Sequence, residues 1–310
     1  MKRTSRIRWT ALVLTGLIAL LMFWLWTPDL SRETLEAKYL APPASMVALK
    51  DWRVHVSDTG PKAAPAVVMI HGFGSSLHTW DAWARTLSRT HRVIRLDLPG
   101  HGLSWPDPAN DYRDARSIEL LLALMDSLGV SRASVVGHSI GGRIAWTLAS
   151  RHPERVSKLV LVAPDGFASP GFAYGKAMDV PAVLGLMRHA LPRAVLKMNL
   201  APAYANAAML TDDLLDRYHD LMLAPGARSA LLARLEQTVL VPPEPMLAKI
   251  AAPTLLVWGE SDALIPVANA ADYLQAIAGS TLLKVAGAGH LPHEEAADAT
   301  AEVVAAFLGP

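Results

Sequence analysis

No cysteine occurs among the 310 residues, which excludes disulfides, thiolate nucleophiles and cysteine-ligated metals together. The absence identifies no redox compartment, because a chain of this length can bury a core that needs no covalent staple. Charge of one sign is lacking as well. The 29 Lys and Arg stand against 28 Asp and Glu, and the body of the chain carries no basic run, so no nucleic-acid partner is expected. Charged residues are only 18% of the chain and apolar residues 52%, an excess that a large core or a membrane segment has to absorb.

What is present begins with Lys2, Arg3, Arg6 and Arg8, followed by an uncharged apolar run from Trp9 to Trp26. At ~1.5 Å per residue that run reaches about 27 Å, close to the ~30 Å hydrocarbon thickness, with Trp9, Trp24 and Trp26 where interfacial aromatics are favoured. A cleaved signal peptide is the competing reading, but Phe23-Trp24-Leu25-Trp26 is bulky and Thr27-Pro28-Asp29 is a poor cleavage site. Residues 1–30 are therefore expected to form an uncleaved transmembrane anchor. Residues 31–45, with the Pro42-Pro43 pair, read as a linker. Basic residues stay on the cytoplasmic side, so the expected location is single-pass and membrane-anchored, with the body in the periplasm of a bacterium.

From Met46 onward, short apolar runs alternate with helical patterns. Ala66–Ile70, Val93–Leu98, Ala133–Val136, Leu159–Val162, Thr254–Trp258 and Thr281–Val285 have the continuous hydrophobicity of strands buried on both faces. Ile118, Leu121, Leu122, Met125 and Leu128 form one apolar stripe on a helix. The alternation predicts an α/β fold with a mostly parallel sheet and helices on both faces. Val47–Lys50 and Arg53–Val56 read as a hairpin leading into it. The pattern breaks at residues 166–245, where helical segments carrying Met178, Met187, Met198, Met209 and Met222 are separated by prolines. This stretch reads as a helical insertion in a core of residues 46–165 and 246–310.

Chemistry concentrates in loops at the ends of these strands. Gly137-His138-Ser139-Ile140-Gly141 lies between a strand and a helix, and the flanking glycines permit a turn tight enough to lift Ser139 above the sheet. A serine hydroxyl is a weak nucleophile that needs a base, usually an imidazole oriented by a carboxylate. His290, in Gly287-Ala288-Gly289-His290 after the last strand, is the candidate base, and Asp262 the candidate acid. Asp165 and Glu260 are rivals to Asp262. Charge on a substrate oxygen needs fixed donors, for which the Ile140 N–H and the Phe73 N–H in His71-Gly72-Phe73-Gly74 are candidates. Neither a metal nor a cofactor is expected.

Taken together these blocks resemble the α/β-hydrolase superfamily over nearly all of residues 46–310. His71-Gly72-Phe73-Gly74 is similar to its oxyanion loop, and Ser139, Asp262 and His290 fall on its catalytic triad. Leu210 to Leu215, with Arg217 and Tyr218, resembles a helix of the cap in its epoxide-hydrolase-like and carbon–carbon-hydrolase-like branches, which makes residues 166–245 a helical cap. Serine replaces the aspartate nucleophile of dehalogenases and epoxide hydrolases. His138 and Leu291 stand where carbon–carbon hydrolases commonly have asparagine and tryptophan. The resemblance implies a serine esterase acting through an acyl-serine intermediate on a small apolar ester, since the cap is rich in Leu, Ala and Met. Carbon–carbon hydrolysis, acyl transfer and cofactor-free perhydrolysis are alternatives sharing the triad, and a non-catalytic tethered binding protein is a further one.

Overall fold

Side chains alternate across a pleat, and here each face of the sheet has its own core. In β3 (Ala66–Ile70), Val68 and Ile70 join one apolar cluster, and Val67 and Met69 join the other. The same division separates Leu159 and Leu161 from Val160 and Val162 in β6 (Val156–Val162). It recurs for Leu256 and Trp258 against Leu255 and Val257 in β7 (Thr254–Gly259). Each such side chain contributes roughly 1.5–3 kcal/mol on burial, which is why these strands read as unbroken apolar runs. The computed structural model describes residues 9–10, 12–16, 20, 25–168, 173–178 and 180–309.

The remaining strands are β1 (Ser45–Leu49), β2 (Trp52–Thr59), β4 (Arg92–Leu96), β5 (Ala133–His138) and β8 (Thr281–Val285). They complete an eight-stranded sheet in the order β1-β2-β4-β3-β5-β6-β7-β8. The β1–β2 hairpin and the β2–β4 pair are antiparallel, and all other pairs are parallel. One face carries helix 114–127 and helix 140–151 through residues such as Leu121, Leu124, Ile144 and Leu148. The other face carries helices 81–87 and 297–308 through Trp83, Leu87, Ala301 and Val304. Parallel strands present their carboxyl ends on one side, so the loops after β3, β4, β5, β6, β7 and β8 gather there.

Between β6 and β7 the described chain is largely helical. Helix Asp212–Met222 starts at Thr211, whose hydroxyl accepts the Leu214 N–H, and has Asp212 and Asp213 in its first turn. Both features offset the unsatisfied amides and positive dipole of a helix start. Its buried face, Leu215, Tyr218 and Met222, meets Leu191, Leu196, Tyr204 and Leu231, and also Leu291 from the loop after β8.

The expectation of a transmembrane anchor at residues 1–30, and with it the membrane partner and the single-pass, periplasmic location, is overturned. Among the described residues, no helix is long and apolar enough to cross a membrane. Residues 1–8, 11, 17–19 and 21–24 of that segment lie outside the described residues. Trp26, the last residue of the apolar run, and the residues just after it find protein neighbours, whereas Trp9, Leu12, Val13, Leu14 and Leu20 are exposed. Trp26 stacks on His189 at 5.5 Å, the Thr27 N–H donates to the His189 carbonyl at 2.9 Å, and the Leu30 N–H donates to the Leu223 carbonyl at 2.9 Å.

Residues 31–45 contain α1 (Arg32–Tyr39), capped by the Ser31 hydroxyl and buried through Leu35. Arg32 lies over the Trp105 ring at 4.5 Å and donates to the carbonyls of Leu103 and Pro225. Lys38 and Tyr39 both donate to Asp220, at 2.7 and 2.9 Å. Asp29 pairs at 2.6 Å with Arg228, whose side chain is only 5% exposed. Residues 26–39 thus strap the insertion to the core.

Candidate active site

The turn after β5 shows why its glycines are required. Ser139 has φ +53° and ψ −120°, a strained conformation for a side-chain-bearing residue. A Cβ on Gly137 would sit 2.2 Å from the Gly141 carbonyl oxygen, and one on Gly141 would sit 2.4 Å from the His71 carbonyl oxygen. The strain is held by hydrogen bonds: the Ser139 N–H donates to Val162, and the Ser139 carbonyl accepts the N–H groups of Asp165 and Arg143 at 3.0 and 3.1 Å. The Ser139 side chain therefore leaves the sheet where helix 140–151 begins. Ile140 is the first residue of that helix, so its N–H has no intrahelical acceptor.

The loop after β3 lies against this turn. A Cβ on Gly72 would stand 2.6 Å from His138 Nδ1 and 3.3 Å from Ser139 Cβ, so only glycine allows this approach. His71 is fully buried and fixes the loop: its Nδ1–H donates to the Gly72 carbonyl at 2.7 Å, and its Nε2 accepts the Leu98 N–H at 3.0 Å. Burial lowers the His71 imidazole from its ordinary value, consistent with this neutral tautomer. The Phe73 side chain is exposed, and its ring stands nearly perpendicular to that of His101, with centroids 6.2 Å apart. Its N–H is free among the described residues.

The structure brings Asp262 and His290 together. Asp262 Oδ2 meets His290 Nδ1 at 2.8 Å, and Asp262 Oδ1 accepts the N–H groups of Leu264 and Ile265, each at 2.9 Å. With its donors fixed, the carboxylate is aimed at the imidazole, leaving Nε2 as the nitrogen that can take a proton. Gly259 permits the loops to meet, since a Cβ there would be 2.0 Å from the Gly289 carbonyl oxygen. Both side chains are almost entirely removed from solvent.

The rivals to Asp262 are occupied elsewhere. Glu260 is exposed. Asp165 is paired with Arg143, which also binds Asp114 at 2.8 Å. Burial pushes the Asp165 carboxyl above its ordinary value, with the Arg143 charge pulling the other way. Burial alone would lower Arg143, but Asp114 and Asp165 raise it.

Two contributors have partners that no motif gives away. His138 Nε2–H donates to the His290 carbonyl at 2.9 Å, and its ring lies 4.6 Å from both His290 and His293. Burial, then the neighbouring His293 and His290, hold the His138 imidazole well below its usual value. Asp97 accepts the N–H groups of Leu77 and Leu103 at 2.6 and 2.8 Å and pairs with His55 at 2.7 Å. Burial opposes its ionisation, but His55, His71 and the Leu77 amide overcome that and hold it at about 2. A hydroxyl on a strained turn, a buried imidazole–carboxylate pair and free amides on two adjoining loops are the equipment of nucleophilic acyl chemistry.

The family described as "alpha/beta hydrolase fold" matches residues 65–297. A dihydrolipoyllysine-residue acetyltransferase component of the acetoin cleaving system from Cupriavidus necator is 36% identical over 242 residues, covering 76% of this chain and 61% of that protein. The chain thus spans less than two thirds of such relatives. A 2-hydroxy-6-oxononadienedioate/2-hydroxy-6-oxononatrienedioate hydrolase from Cupriavidus pinatubonensis is 30% identical over 293 residues, covering 90% of this chain and 99% of that protein. Among solved structures, the enol-lactonase from Burkholderia xenovorans is 25% identical with a TM-score of 0.73, covering 85% of this chain and 99% of that one.

Proposed function

Because the chain belongs to the α/β-hydrolase family, we propose that it is a serine hydrolase in which Ser139 attacks a carbonyl carbon, His290 takes the hydroxyl proton and Asp262 orients His290. The Ile140 and Phe73 N–H groups bind the resulting oxyanion. Collapse of the oxyanion breaks the bond to the leaving group, which takes the proton back from His290 and departs; water, deprotonated by His290 in the second half-reaction, then releases the acid from the acyl-serine. The observation that carries this reading is the buried 2.8 Å His290–Asp262 pair, with Ser139 held at φ +53° beneath Gly72. The insertion at residues 166–245 acts as the cap over that site.

The bond cleaved is taken to be a carbon–carbon bond next to a ketone. Support comes from the relative that this chain covers almost end to end, which is named for hydrolysis of a 2-hydroxy-6-oxo dienoic diacid. Ester cleavage is the second reading. It is favoured by Leu291, buried beside His290 in the apolar cluster of the insertion, and by the likeness to an enol-lactonase. An apolar site of that kind suits a medium-chain acyl group, each buried methylene adding up to ~0.8 kcal/mol until the site is full.

A side-by-side assay separates these readings. The purified chain is given a 2-hydroxy-6-oxo-dienoate and a series of p-nitrophenyl esters, each compared with Ser139→Ala. Turnover of the dienoate with the larger kcat/KM supports carbon–carbon hydrolysis, and preference for medium-chain esters supports the second reading. Turnover undiminished in Ser139→Ala would overturn both.

A further inference from the structure

The loop carrying His290 is clamped to the insertion by a set of contacts that the proposed chemistry does not use. The His290 N–H donates to the Ala203 carbonyl at 2.7 Å. Glu295 spans the junction: Oε1 accepts the Gly289 N–H at 2.7 Å, and Oε2 accepts the Ala205 N–H at 2.8 Å. One carboxylate therefore holds the residue before His290 and the residue two beyond Ala203. The two backbones lie so close that a Cβ on Gly289 would be 2.6 Å from the Ala205 nitrogen and 2.7 Å from the Ala203 oxygen.

Glu294 supports the same junction from the other side of the turn. Its carboxylate accepts the hydroxyls of Tyr204 at 2.7 Å and Tyr218 at 3.3 Å, both from the insertion, and that of Thr79 from the core. The insertion therefore rests on the His290 loop through three consecutive residues, Ala203, Tyr204 and Ala205. Its position and that of the imidazole cannot change independently.

From this geometry we propose that Glu295 is a positioning residue for His290, setting the register between the base and the cap that forms the substrate's walls. The proposal rests on the serine-hydrolase reading above. Glu295 touches neither the imidazole nor Ser139 and acts through the Gly289 amide. A carboxylate can accept at both oxygens, whereas an amide in its place presents an NH2 to one of the two N–H donors. In Glu295→Gln one link is lost, the Gly289–His290 segment shifts, and reaction slows, since displacements of about 1 Å near reacting groups cost on the order of 100-fold.

The test compares Glu295→Gln and the milder Glu295→Asp with Lys158→Met. Lys158 caps the carbonyls of Phe307 and Leu308 at the far end of the last helix, so its loss lowers stability without touching the junction. Active serine is counted with a p-nitrophenyl phosphonate, and turnover is expressed per titrated site. The downfield proton between His290 and Asp262 is followed by NMR. Glu295→Gln is expected to titrate fully, to lower kcat about 10–100-fold with KM within about threefold, and to shift the downfield proton. Glu295→Asp should lie between it and the native chain, and Lys158→Met should keep native turnover per site. Native kcat and an unmoved proton in Glu295→Gln would overturn the proposal, as would an equal loss of turnover per site in Lys158→Met. Undiminished turnover in Ser139→Ala is a separate result: it removes the hydrolase reading whatever Glu295 does.

Discussion

The Ser139 carbonyl accepts the peptide N–H of Asp165 at 3.0 Å, while the Asp165 carboxylate is bound by Arg143. Asp165 thus braces the Ser139 backbone and gives its carboxylate to Arg143, while Asp262 holds the His290 imidazole at 2.8 Å. The two aspartates should separate on substitution. Asp262→Asn should lower kcat by about 10³–10⁴-fold with little change in Tm, because the wrong imidazole tautomer is then favoured. Asp165→Asn should lower stability by about 2–3 kcal/mol, because Arg143 is left buried with one acid fewer. Thermal melts and initial rates on both variants check this, and the reverse pattern would move the acid to Asp165.

Gly72→Ala offers a steric test of the same site. The added methyl meets His138 Nδ1 and Ser139 Cβ at 2.6 and 3.3 Å, so the loop after β3 must withdraw. The expected outcome is at least a 100-fold loss in kcat/KM, in line with losing one oxyanion donor, which costs roughly 3 kcal/mol. Retention of native kcat/KM would show that the Phe73 amide is not a donor.

Much of this arrangement was legible in the residues, and what was not has a physical cause. Strands β3 to β7 announce themselves because both faces are buried, and Gly137 and Gly141 announce the Ser139 turn because only glycine tolerates its contacts. The apolar run before Pro28 misled because hydrophobicity reports a need for apolar neighbours without naming them. Trp26 at its end stacks on His189, and α1, in a stretch that reads as a spacer from its mixed charge and prolines, hides one buried leucine at position 35. Glu295 was invisible for another reason, as were the partners of His138 and Asp97. Their roles consist of hydrogen bonds between loops, to backbone groups for the most part, which leave no periodicity and no spacing.

A pH dependence of stability follows from the imidazoles under the site. Burial, then the neighbouring His290, holds His293 down to about 3, against an unfolded value of ~6.5. The folded state therefore binds fewer protons than the unfolded state between these values, so stability rises with pH across that window. The contribution is fully present above about pH 6.5 and is lost as pH falls toward 3, with a slope of up to ~1.4 kcal/mol per pH unit for one proton. His293→Gln should flatten the slope by that amount, because glutamine can still donate to Thr79, as His293 Nε2 does at 2.8 Å. Urea unfolding at several pH values measures it, and parallel slopes for the two chains would refute the assignment.

The strap over the insertion gives the last prediction. Arg228 Nε and Nη1 are buried and unpartnered among the described residues, so the 2.6 Å bond from its Nη2 to Asp29 is the only ion pair recorded for its guanidinium. Removing the acid strands a cation that has already left water. Asp29→Ala should therefore cost about 2 kcal/mol, below the loss for a fully buried pair because the Asp29 side chain is itself exposed. Arg228→Met alone should cost less, since a methionine fills the site without charge, and the double variant should be more stable than Asp29→Ala. That ordering distinguishes a stranded charge from lost packing. Were packing the cause, the double variant would be the least stable of the three. Urea unfolding followed by tryptophan fluorescence reads all of them, with Trp26 and Trp105 both seated on the strap.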